Sequence, residues 1–124
     1  MVLLTRRDRL RQAISYYRAR QTQVWVARPG TTPRVAEVAF DADEIQATAG
    51  RLAADESAWR EELARRGLPV HEIVYEDLDA DYDAQLQACF GFLGEADLPV
   101  PRRPFERLAD QETEEWVARL RPIA

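Results

Sequence analysis

Val2-Leu3-Leu4-Thr5 opens the chain as a continuous apolar run, the pattern of a buried strand. From Asp8 the period changes. Leu10, Ala13, Ile14 and Tyr17 follow i, i+3, i+4, i+7, which predicts an amphipathic helix over about 8–21. Arg28-Pro29-Gly30-Thr31-Thr32-Pro33 then breaks any regular element and reads as a loop. Asp41 with Glu44 three residues on has the spacing of a capping box and starts the longest predicted helix, over about 42–66. Ile45, Leu52, Trp59 and Leu63 supply its apolar stripe, and Gly67 with Pro69 ends it. Val70–Tyr75 reads as a second strand, Asp81 opens a helix over about 81–93 closed by Gly94, and Asp110 caps a last helix to about residue 121.

Strands separated by helices predict a parallel α/β sheet with Val2–Thr5 and Val70–Tyr75 as neighbours or near-neighbours. Two strands are few for a parallel sheet covered on both faces. Residues 1–124 are therefore expected to be part of one domain, with a side of the first strand and part of the long helix uncovered. An uncovered apolar face is also a route to a homodimer.

Composition narrows the classes. At 124 residues the chain has the size of one domain, and 46% apolar with 31% charged residues is globular rather than disordered. A single Cys excludes an internal disulfide and a Cys-based zinc cluster, and no apolar run reaches the length of a membrane span. Without a signal-peptide core, a cytoplasmic location is the expectation. The net charge of −5 is unevenly spread: residues 1–34 carry eight Arg and one acid, and the remainder nine Arg and 21 acids. A basic segment on an acidic chain argues for one localised anion site rather than a nucleic-acid-coating surface.

The candidate chemistry lies in Thr5-Arg6-Arg7-Asp8-Arg9-Leu10-Arg11-Gln12-Ala13-Ile14-Ser15. A strand-to-helix turn presents N–H groups and a favourable dipole to an anion. Arg7, Arg11 and Ser15 recur at i, i+4, i+8, and two forked guanidiniums with a hydroxyl suit a phosphate monoester. A solvated basic helix face is the ordinary alternative. Asp79, Asp81 and Asp83 imitate the start of a calcium loop, but Ala84 and Phe90 stand where Gly and Glu are required, so helix capping explains them. His71 has no second His, Cys89 reads as a small core residue, and no catalytic residue or metal site is assigned.

Arg7-Asp8, Gln12-Ala13-Ile14-Ser15, Arg18-Ala19, Gln21-Thr22 and Trp25 resemble the 3′-phosphate-binding segment of sulfotransferases of the trehalose 2-sulfotransferase type. The similarity continues in order through Phe40-Asp41, Ile45, Trp59, Tyr75-Glu76-Asp77-Leu78, Phe92-Leu93-Gly94, Arg107, Ala109-Asp110 and Glu115-Trp116-Val117. The resemblance implies a P-loop-type sulfotransferase fold and 3′-phosphoadenylyl sulfate (PAPS) as donor. It further implies transfer of the sulfuryl group to a hydroxylated small molecule or carbohydrate. Arg7 and Ser15 match the pair that holds the donor's 3′-phosphate, with Arg11 beside them. Arg107 is either a further phosphate ligand or a surface Arg, and Trp25 either lines the acceptor pocket or packs on the preceding helix.

The departures are informative. No G-x-x-x-x-G-K-type loop exists in the sequence, and Leu108 stands where the family often has Gln. The chain is expected to correspond to the C-terminal portion of such an enzyme, without the strand, the 5′-phosphosulfate loop and the base. Two other classes stay open: a non-catalytic 3′-phosphonucleotide-binding module, and a domain that docks an acidic partner on its basic helix.

Overall fold

A computed structural model describes residues 1–23, 38–104 and 111–121. Its elements are β1 (Val2–Thr5), α1 (Arg9–Thr22), α2 (Ala42–Arg65), β2 (His71–Val74), α3 (Tyr75–Ala80), α4 (Tyr82–Phe92) and α5 (Gln111–Leu120). They fall into two compact units. The first comprises Met1–Arg7 with Asp55–Arg103, the second Asp8–Ala54 with Pro104–Ala124.

In the first unit β1 and β2 pair in parallel, with Val2 opposite His71, Leu4 opposite Ile73 and Thr5 opposite Val74. This is the parallel sheet expected from the strand–helix alternation. The pleat puts Val2, Leu4, His71 and Ile73 on one face and Leu3, Thr5, Glu72 and Val74 on the other. On the first face the His71 ring stacks on Phe92 of α4 at 5.3 Å, and Ile73 is buried. Leu4 on the same face is 63% exposed. On the second face Thr5 is buried and its hydroxyl donates to Glu72 Oε1 at 2.7 Å, which also receives Arg60 of α2 at 2.7 Å. Arg60 first, and then Thr5, hold the Glu72 carboxyl below its ordinary range.

Two local features depart from the sequence pattern. Residues 75–80 form a separate short helix directly after β2, where a strand end leading to α4 was expected. Glu76 and Asp77 in its first turn favour the helix N-terminus, and six residues are too few to display a helical period. Trp59, assigned to the buried stripe of α2, is 58% exposed. A seven-residue step drifts by about 20° per repeat on a helix of 3.6 residues per turn, so a stripe counted in sevens does not stay on one face. Gly67 and Gly94 adopt positive φ (64° and 78°) just past α2 and α4, the left-handed helix stop that glycine takes without a Cβ penalty.

In the second unit Ala13, Ile14 and Tyr17 of α1 pack with Ile45 of α2 and with Trp116 and Val117 of α5. Tyr17 and Phe40 approach the Trp116 ring at 6.2 and 5.3 Å, the latter edge-on at 74°. The Tyr17 hydroxyl donates to the Ala39 carbonyl at 2.8 Å, satisfying the polar tip of a buried ring. The Glu44 amide donates to Asp41 Oδ1 at 3.0 Å, the cap that the Asp41–Glu44 spacing predicts.

Asp8 caps α1 by accepting from the Arg11 amide at 3.1 Å, and Gln23 ends the helix at φ 61°. The Asp8 carboxylate also receives the guanidiniums of Arg11 and Arg121, the latter at 3.1 Å. Burial pushes the Asp8 carboxyl up, but the amide and guanidinium bonds together outweigh it and hold the carboxyl below its ordinary range. A group with a lowered folded pKa stabilises the fold above its unfolded pKa and loses that contribution as pH falls through the folded value. The chain is therefore expected to lose stability below about pH 4. Asn keeps the cap without the charge, so Asp8→Asn should be less stable than wild type in urea at pH 6. The gap should narrow as pH falls below the ordinary Asp range, and a gap that stays constant throughout would remove Asp8 as the titrating group.

Among the described residues, no helix is long and apolar enough to cross a membrane.

Candidate nucleotide-binding segment

Arg6 and Arg7 occupy the turn between β1 and α1. Because β2 lies alongside β1 in parallel, the residues leaving the two strands meet at one end of the sheet. Arg6 lays its guanidinium over the Tyr75 ring at 4.4 Å, a cation–π contact. Both Glu76 oxygens lie 2.9 Å from the Arg7 backbone N–H. The Arg7 Nη2 donates to Asp77 Oδ1 and Oδ2 at 3.0 and 3.1 Å. Asp77 raises the Arg7 pKa, first through this hydrogen bond, so the side chain is a fixed cation. It is nevertheless 63% exposed.

The i, i+4, i+8 spacing translates only in part. Since α1 begins at Arg9, Arg7 precedes the helix, and only Arg11 and Ser15 lie one turn apart on a common helical face. Ser15 is half-buried. Arg11 is engaged by two carboxylates, Asp8 at the N-cap of its helix and Glu114 of α5 at 2.5 Å, and both raise its pKa, first through the hydrogen bond to Glu114. This makes Arg11 a strut between α1 and α5, with its donors directed at protein oxygens. Trp25 and Arg107 lie outside the described residues.

The acidic residues of the calcium-like spacing have structural partners. Asp81 caps α4 through the Ala84 amide at 3.1 Å, and Asp79 receives Arg103 at 2.6 Å. Cys89 is buried. In the second unit a concavity of about 820 Å³ is lined by Val38, Ala39, Gln111, Glu112, Glu115 and Trp116. Glu112 and Glu115 bring two carboxylates to its wall, a feature whose only trace in the sequence is their one-turn spacing. Sequence reasoning also missed the engagement of Arg7 by Glu76 and Asp77, because Tyr75-Glu76-Asp77 reads locally as a strand terminus.

A family model for Stf0 sulphotransferase matches residues 1–122. The chain belongs to the Stf0 sulphotransferase family. This Stf0 chain is 32% identical over 119 residues to a trehalose 2-sulfotransferase of Mycobacterium tuberculosis, covering 96% of the chain and 44% of that protein. It is 31% identical over 121 residues to a trehalose 2-sulfotransferase of Mycolicibacterium smegmatis, covering 98% of the chain and 45% of the relative. The Stf0 chain thus spans less than half the length of these curated relatives. The mixed helix–strand architecture with a small parallel sheet agrees with an α/β sulfotransferase fold.

Proposed function

We propose that the chain supplies the 3′-phosphate-recognising part of a sulfotransferase that uses PAPS as donor and a carbohydrate hydroxyl as acceptor. The observation that carries this reading is Arg7: a fixed, largely exposed guanidinium in a strand-to-helix turn, in a chain whose match to the family spans residues 1–122. A guanidinium with forked donors fits a phosphate dianion, and the Ser15 hydroxyl adds a short neutral donor. Arg11 is left out of the proposal because its side chain is only 23% exposed and is held by two carboxylates, whereas the Arg7 side chain is 63% exposed. PAPS supplies an activated sulfuryl group, whose transfer to a hydroxyl needs a base and donors aimed at the departing phosphate. The residues of this chain do neither in the proposal. They recognise and orient the nucleotide, and the phosphosulfate loop and base belong to a further part of the enzyme, of which residues 1–124 form the C-terminal portion.

Calorimetry with 3′-phosphoadenosine 5′-phosphate (PAP) and with AMP tests the recognition. Tighter binding of PAP is expected, and equal affinities would remove the 3′-phosphate site. A protein-docking helix would bind neither. In a labelled-sulfate assay with PAPS and trehalose, the 124-residue chain should transfer nothing measurable, because each missing oxyanion-type donor typically costs 10²–10³ in rate. Robust transfer would place the chemistry within these residues and overturn the division of labour.

A further inference from the structure

Resting on the reading of Arg7 as a phosphate anchor, we propose that Glu76 and Asp77 form an internal counter-anion. They occupy Arg7 in the free protein, and the 3′-phosphate displaces them from it. Both groups that Arg7 offers to an anion already face a carboxylate. Its backbone N–H meets both Glu76 oxygens at 2.9 Å, and its guanidinium meets both Asp77 oxygens at 3.0 and 3.1 Å. Two successive residues on α3 thus present a pair of carboxylates at the end of the sheet where β1 turns into α1, much as a bound oxyanion would.

The exchange is physically easy. The Arg7–Asp77 pair is exposed on both sides, 63% and 44%, so water screens it and little is lost on opening it. A phosphate dianion carries two charges and three acceptor oxygens, against one charge on each carboxylate, so it outcompetes them for a forked donor. The consequence is selectivity. A neutral or weakly charged group at the 3′ position cannot repel or replace two carboxylates, whereas a phosphate can.

Calorimetric titration of PAP and AMP into the full 124-residue chain and three variants tests this. Asp77→Asn removes the charge without changing shape, and Glu76→Gln retains an oxygen that still accepts from the Arg7 amide. Each is expected to bind PAP about two- to fivefold more tightly than wild type, the scale of a screened surface pair, with AMP unchanged. PAP affinity should also fall more steeply with salt in Asp77→Asn, because the incoming phosphate no longer replaces a protein anion. Unchanged or weakened PAP binding in both folded variants would overturn the counter-anion. Arg7→Ala separates the two ideas. If wild type prefers PAP and Arg7→Ala loses that preference while the carboxylate variants gain nothing, the anchor stands and the counter-anion fails. If Arg7→Ala keeps the preference, the anchor itself is wrong and the counter-anion falls with it.

Discussion

Replacing Trp116 with Ala is expected to cost about 3–5 kcal/mol of stability, the range for emptying a large aromatic site in a core. Trp116 is 5% exposed, and its ring meets Tyr17 of α1 at 6.2 Å and Phe40, just before α2, at 5.3 Å. The Arg18 guanidinium also lies 5.8 Å from the ring, so truncation removes a cation–π partner together with the packing. Such a loss is a large share of the stability of a domain this size. Trp59→Ala is the internal contrast. That residue is 58% exposed, and its loss should lie within about 0.5 kcal/mol of wild type. Urea unfolding followed by far-ultraviolet circular dichroism measures both. Equal costs for the two tryptophans would refute the placement of the core.

Arg7→Ala and Ser15→Ala should each abolish most of the advantage of PAP over AMP while leaving AMP binding near its wild-type level. A hydrogen bond to a charged group corresponds to roughly a ten- to hundredfold change in affinity, with the guanidinium at the upper end. Ser15→Ala is the cleaner test of the two. Ala is the most favourable helix residue, so α1 loses no intrinsic stability and a weakened PAP interaction reports on the hydroxyl alone. Arg11→Ala should behave differently: breaking its links to Asp8 and Glu114 lowers the stability of the second unit more than it alters the PAP-to-AMP ratio. A loss of PAP preference confined to Arg11→Ala would move the anchor from the β1–α1 turn into α1.

Much of the fold was legible because its signals are local. The i, i+3, i+4, i+7 pattern of Leu10 to Tyr17, the Asp41–Glu44 cap and the stop at Gly67 each act over a few residues, and α1 and α2 lie where those signals place them. The strands were readable from their apolar runs, and their parallel pairing from the helices between them. The candidate site was only half legible. Arg7 and Ser15 stood out through an ordered resemblance, whereas the partners of Arg7 lie 69 and 70 residues away along the chain. No local pattern couples positions so far apart. The parallel register of β1 and β2 brings Arg7 next to Glu76 and Asp77, just as helix packing joins Arg11 to Glu114 and leaves Trp59 exposed. Periodicity and capping are short-range and written in the sequence; ion pairing and exposure depend on which surfaces meet, and only tertiary structure decides that.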